Sequence, residues 1–488
     1  MSEIRFVDTT LRDGHQSLWA ERMSTAMILP VASRIDHAGF EAVEILSPSF
    51  FKKCVRELNE DPLERVRRVA ARMPKTRLRA IRSRHITGFH LTPSAVSELW
   101  LERVAANGVA ELRSSDPSNT PSHWKEMVRD ARRVGLDTVV NVIFSISPRH
   151  TDAHYAERIK AAAKLEVRRI CLKDPGGLLT PERTRALVPL VLKHAGNIPV
   201  EFHTHCNTGL GPLCCLEAIK LGIRSINVAL PPLANGSSNP SAFNVAYNAR
   251  ALGYSTVLDE ETLRPVSEHF TGIAKRTGLP IGKPLEYDAA HPIHQVPGGM
   301  ISNFRHQLAK VGMGERIGEV LEETGRVRAD FGYPIMVTPY SQFVGVQAAV
   351  NVILGERYRE VADEVIQYAL GLWGEEEAAS MAADVKDQIL SRARAKELAR
   401  WQPSEVTRQQ LRAQLGGPSL SDDELILRYF AGGEEVAAMR RAGPPKTYMS
   451  GRHPLVHLVT ELSKKKKTNQ VYIKMDRFSL RLEHKAKG

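Results

Sequence analysis

The 488-residue sequence lacks the marks of several protein classes. Its five cysteines, Cys54, Cys171, Cys206, Cys214 and Cys215, are odd in number and form no CxxC pair. That excludes a disulfide framework and a thiolate zinc site, and points to a reducing compartment. No uncharged apolar run approaches the ~20 residues needed to span a bilayer. The opening MSEIRFVDTTLRDG has no basic-then-apolar signal pattern, so no membrane span and a cytoplasmic location are expected. Zinc-finger and RNA-recognition signatures are missing. The 67 basic against 55 acidic residues, a net +12, are dispersed, which favours anionic partners such as carboxylates, phosphates or an acidic subunit over nucleic acid.

What is present is a folded globular composition, 42% hydrophobic and 25% charged, in a chain long enough for a large barrel and a second domain. Eight short apolar, β-branched runs recur at residues 4–7, 42–46, 78–81, 110–112, 138–144, 169–172, 200–202 and 226–230. Mixed-polarity helical patterns, such as 100–106 and 124–134, lie between them. Eight β/α units in about 250 residues match a closed (β/α)8 TIM barrel. A doubly wound sheet would carry a Gly-rich phosphate loop after its first strand, but the chain there reads DTTLRDGHQS.

Three regions are expected: the barrel at 1–285, an α-helical domain at 286–445 and a basic tail at 446–488. The Pro- and Gly-rich stretch 280–299 carries the crossing between the first two. Residues 337–353 and 375–398 read as helices, and 402–420 as a looser connection before a further helical piece. The tail holds four lysines at 464–467 and then VYIKMDRFSLRLEH, alternating as an edge strand or hairpin does. It is either a solvated end or a strand that docks on an acidic partner subunit.

Active sites of such barrels lie at the carboxyl ends of the strands. Asp13 follows the first run, Lys173 ends the sixth in CLKDPGG, and His203 and His205 end the seventh in EFHTHCNTG. Two histidines two apart on a strand share a face. With an oxygen from Asp13 they make an N/O set suited to Zn2+, Mn2+ or Co2+. Lys173 either pairs with Asp174 or, as a buried neutral amine, captures CO2 as a carbamate and becomes an anionic ligand.

DTTLRDGHQSL, EDPLERVRRVAARMP, LKDPGGLLTP, FHTHCNTGLG and VPGGMISNF stand in an order that resembles the carboxyltransferase domains of pyruvate carboxylase and the oxaloacetate decarboxylase α subunit. The likeness runs from residue 5 to about 360, and more weakly to about 440. It implies a divalent metal on Asp13, His203, His205 and a carbamylated Lys173. It implies a 2-oxo acid held by Arg82 and Gln16 with Arg12 nearby, and proton transfer between biotin and substrate at Ser302. The implied activity is movement of CO2 between carboxybiotin and a small enolisable acid. Claisen-type enzymes such as isopropylmalate synthase share DTTLRDG and HxH, but they need no carbamylated lysine, and ANGSSNPS is closer to the carboxyltransferase GGTSQPS.

The chain also departs from that family. Lys52 stands where an aspartate helps bind biotin, Phe89 replaces a tyrosine of the same pocket, and Met300, Ser302 and Cys206 replace glutamine, threonine and aspartate. Ser302 keeps the hydroxyl that proton transfer requires. Lys52 reverses a charge, which implies a different hold on biotin, an acid with an extra anionic group, or a silent barrel kept as a scaffold. No ATP-grasp half or biotinyl domain is found in the sequence, and IKM at 473–475 has too little β structure around it to form one. Biotin is therefore expected on a separate carrier protein, with a biotin carboxylase subunit as a further partner and a homodimer of barrels.

Overall fold

A computed structural model of the chain describes residues 2–83, 92–296, 308, 312–400, 405–444, 462, 470–475 and 478–483. Its centre is a closed ring of eight parallel strands: β1 Glu3–Asp8, β2 Ala42–Leu46, β3 Arg77–Arg82, β4 Val109–Ser114, β5 Asp137–Ile143, β6 Arg169–Asp174, β7 Val200–Thr204 and β8 Ser225–Val228. Each strand pairs with the next, and β1 closes the ring by pairing with both β2 and β8. All eight apolar runs of the sequence form these strands. A two-residue β9, Ser255–Thr256, pairs with the start of β1.

The outer helices begin with a repeated local device. Ser47, Asp61 and Thr180 accept backbone N–H groups of the first turn, and Pro48, Pro62 and Pro181 follow them at the first helical position. There the missing N–H costs nothing and the fixed φ suits the helix. The apolar faces of these helices close on the strands, burying Phe51, Leu63, Trp100, Trp124, Leu187 and Val191. Each such side chain contributes about 1.5–3 kcal/mol when fully buried.

The stretch 286–445, expected as one helical region, divides its packing in two. Helices Ile317–Asp330, Tyr340–Leu354, Asp363–Ala369 and Ala383–Leu390 bury a separate core around Val327, Phe331, Tyr340, Tyr368 and Trp373. The later helices Arg408–Leu415, Asp422–Ala431 and Gly433–Ala442 return to the barrel, where Leu411, Leu425, Phe430 and Val436 join its core. Arg56 holds them by donating to the Ala431 carbonyl at 2.7 Å, and Arg103 by pairing with Asp423 at 2.6 Å. The first of them lies inside 402–420, read from the sequence as a loose connection. Its Thr407 and Gln410 form a reciprocal cap, the Thr-x-x-Gln pattern that marks a helix start.

The separate helical core is locked to the barrel at the loop after β5. Arg328 donates to Ser145 Oγ at 2.9 Å and to the Ile146 carbonyl at 3.0 Å, and Arg149 pairs with Glu377 at 2.8 Å. In the tail, β10 Gln470–Met475 and β11 Phe478–Glu483 form an antiparallel hairpin. The four lysines at 464–467 lie outside the described residues. No helix of the described chain is long and apolar enough to cross a membrane.

Candidate metal centre

β1 runs into a wide turn, Thr10–Gly14, in which the Gly14 N–H reaches back to the Thr9 carbonyl at 3.0 Å. Such i→i+5 turns recur at functional sites. This one turns Asp13 into the barrel mouth. A Cβ on Gly14 would stand 3.0 Å from the Leu233 carbonyl, so a larger residue would push the turn off the loop after β8. On β7 the period of two puts His203 and His205 on the same side, their Nε2 atoms 3.1 Å apart and each 3.4 Å from Asp13 Oδ2. All three side chains are buried.

The opposite nitrogen of each ring fixes its tautomer. His205 Nδ1 lies 2.7 Å from the Ser237 carbonyl, which can only accept, and His203 Nδ1 lies 2.9 Å from Asn227 Oδ1. Nδ1 therefore carries its hydrogen toward these acceptors, and both Nε2 atoms face Asp13. Burial, with Lys173 nearby, holds His203 well below the usual histidine range, so its approach to Asp13 is not an ion pair. Asp13 stays charged: burial opposes its ionisation, but the Arg12 guanidinium holds it well below the ordinary carboxylate value. Two imidazole nitrogens and a carboxylate oxygen thus converge. A divalent cation satisfies that donor set.

Lys173 is register neighbour to His203 across the β6–β7 pair. Burial first, then the charge of Arg12, lowers its amine to about 8. It forms no ion pair with Asp174. That carboxylate faces away and accepts the N–H groups of Leu178 and Leu179, both at 2.9 Å, and the Thr204 hydroxyl at 3.0 Å. Asp174 thereby shapes the DPGG loop, whose Gly177 has φ +62° and packs where a Cβ would stand 2.9 Å from the His205 carbonyl.

Arg12 donates to Asp13 Oδ2 at 2.8 Å, to Glu44 Oε2 at 2.8 Å and to Gln16 Oε1 at 3.3 Å, so the structure brings Arg12, Asp13 and Gln16 together. Arg82 shares no hydrogen bond with them among the described residues. It is buried at the end of β3, and its nearest carboxylate is Asp130, 3.9 Å away on the outer helix Pro121–Arg133. Among the described residues its Nε and Nη1 have no hydrogen-bond partner. Lys52 is exposed on the helix Pro48–Leu58. Phe89, Met300 and Ser302 lie outside the described residues. Cys206 is buried directly after His205, and burial pushes its thiol up.

Sequence reasoning missed the charged interior of the barrel beneath this cluster. Glu201 accepts Arg79 through two hydrogen bonds of 2.7 and 3.0 Å, Asn227 at 2.7 Å, and Arg113. Arg113 also pairs with Glu44, and Arg79 donates to Glu111 at 2.6 Å. Asn239 donates to the Thr204 carbonyl at 2.8 Å and accepts the Thr9 hydroxyl at 2.7 Å. A signal was available: Glu44, Arg79, Glu111, Arg113, Glu201 and Asn227 interrupt otherwise apolar strand runs. Glu201, His203 and His205 alternate along one face, as do Glu111 and Arg113.

Fold and site together define a (β/α)8 barrel with an aspartate and two histidines converging, in an arrangement that could hold a metal ion, at the carboxyl ends of its strands. The chain belongs to the HMGL-like family, which it matches over residues 3–269, and residues 292–449 match the conserved carboxylase domain. It is 36% identical over 375 residues to a pyruvate carboxylase subunit of Methanocaldococcus jannaschii, covering 76% of this chain and 66% of that protein. It is 33% identical to the 2-oxoglutarate carboxylase large subunit of Hydrogenobacter thermophilus, covering 76% of this chain and 57% of the relative. The chain thus spans less than two thirds of the length of these relatives. Among solved structures, the carboxyl transferase domain of Rhizobium etli pyruvate carboxylase superposes with a TM-score of 0.82 at 20% identity, over 100% of this chain and 85% of that one, which shows the same fold.

Proposed function

We propose that this chain is the carboxyltransferase component of a multi-subunit biotin-dependent carboxylase or decarboxylase, moving CO2 between carboxybiotin and a small 2-oxo acid. The observation that carries the reading is the convergence of Asp13, His203 and His205, with Lys173 beside them on β6, at the mouth of a barrel of this family. Asp13, His203 and His205 hold a divalent cation, and Lys173 adds a fourth ligand after its neutral amine takes up CO2 as a carbamate and releases a proton. The cation, when bound, polarises the keto oxygen on which enolate charge develops.

The remaining roles fall to the chain's own side chains. Arg12 holds Asp13 charged and aligned, and keeps Gln16 at the same mouth to orient the keto acid. Arg82, with donors left unsatisfied among the described residues, turns to the acid's carboxylate once a substrate is present. Ser302 moves the proton between biotin and the substrate carbon, with Phe89 and Lys52 bordering the biotin. Both relatives are named as single subunits of larger carboxylases, which supports separate partners: a biotin carboxylase subunit and a biotin carrier, alongside a homodimer of barrels. The tail hairpin, β10 and β11, is our candidate docking element. Five buried cysteines, none in a disulfide, agree with a cytoplasmic location.

The test is biotin-dependent decarboxylation. Metal-loaded protein with free biotin should release CO2 from oxaloacetate or the carboxylated form of another 2-oxo acid, and omission of biotin should abolish it. Loaded protein that turns over no such acid, with or without biotin, contradicts the reading.

A further inference from the structure

Asn227 is fully buried on β8, and its amide can face only one way. Its Nδ2 lies 2.7 Å from a Glu201 oxygen, which can only accept, and its Oδ1 lies 2.7 Å from Arg113 Nη2, which can only donate. Flipping the amide would set donor against donor and acceptor against acceptor in a site closed to water. Glu201 is itself held by Arg79 from β3, so the orientation is anchored across the barrel. The oxygen so fixed is the one 2.9 Å from His203 Nδ1. Arg113 Nη1 lies 3.4 Å from the same nitrogen, the longer of the two contacts, and also forms an ion pair with Glu44.

We infer that Asn227 is a positioning residue for the metal centre: the Arg79–Glu201–Asn227 chain sets the His203 tautomer so that Nε2 faces the cation. This rests on the metal reading proposed above. A histidine ligand without such a partner is free to place its hydrogen on the coordinating nitrogen or to rotate, and loss of an outer partner of this kind typically weakens metal binding 10–100-fold. Asn227→Leu removes the acceptor while keeping the branched shape of the side chain.

The experiment is competition for Zn2+ and Co2+ between the metal-stripped full chain and a chromophoric chelator, with the Co2+ absorption bands recorded. Wild type should bind one ion and His203→Ala should lose it. Asn227→Leu should bind about 10–100-fold more weakly with shifted Co2+ bands. Should the leucine variant fail to fold, Asn227→Ser, whose hydroxyl falls short of the imidazole, takes its place with the same expectation. Unchanged affinity in the leucine or serine variant overturns the inference. Failure of wild type to bind more metal than His203→Ala overturns the metal reading and the inference with it.

Discussion

The barrel interior sets a stability test at Glu201. Its two oxygens accept Arg79 twice, Asn227 once and Arg113 once. Burial opposes its charge, yet Arg79 and Arg113 hold its carboxyl far below the usual glutamate range. Glu201→Gln keeps the volume but replaces one acceptor oxygen by an NH2 that faces arginine donors. Arg79 and Arg113 then share fewer counter-charges in a region closed to solvent. Removing one partner of a buried pair costs about 3–5 kcal/mol, because the charge left behind is neither paired nor hydrated.

The comparison is Glu102, whose ion pair with Arg408 is partly exposed on both sides and contributes about 0–1 kcal/mol. Urea unfolding of the metal-free protein, followed by circular dichroism at pH 7, gives both differences from midpoint and slope. Glu201→Gln should lose at least about 3 kcal/mol and Glu102→Gln less than about 1 kcal/mol. Equal losses would refute the reasoning and place the network in effective contact with water.

Other consequences follow from single residues. Asp8 is buried with Oδ2 unpaired among the described residues, and burial raises its carboxyl to about 7. The folded state thus binds a proton more tightly than the unfolded chain, and stability falls as pH rises from about 4 to about 7. Asp8→Asn should leave urea midpoints unchanged near pH 4 and stabilise by about 2–4 kcal/mol at pH 8; no gain at pH 8 would contradict the assignment. Gly177→Ala forces a side chain onto φ +62° against the His205 carbonyl. A loss of about 1–2 kcal/mol in urea unfolding is expected, together with weaker metal binding by chelator competition. Wild-type protein given labelled bicarbonate should show a carbamate carbon signal by 13C NMR, and Lys173→Met should abolish it; a signal of equal strength in the variant would remove Lys173 from the ligand set.

The eight strands were legible because each carries a short, mainly apolar run and the runs recur between helical patterns. Asp13, Lys173, His203 and His205 were legible because they sit just past those runs. The interior network was hidden by the same rule: a glutamate or arginine within an apolar run reads as an interruption until the barrel closes and sets Glu201 against Arg79 and Arg113. The split of 286–445 escaped because amphipathic periodicity shows that a helix has an apolar face and not which core receives it. The helix Asp422–Ala431 turns Leu425 and Phe430 to the barrel, whereas Tyr340–Leu354 turns Phe343 to Trp373. For Arg82 the place at the end of β3 was legible, whereas its neighbour Asp130, 3.9 Å away on an outer helix, was not.

The most direct test of the account is crystallography of metal-soaked protein with anomalous scattering recorded at the metal edge. The account predicts one ion per chain at about 2.0–2.2 Å from Asp13, His203 Nε2 and His205 Nε2, lost in His203→Ala. An ion bound elsewhere, or none at saturating metal, contradicts it.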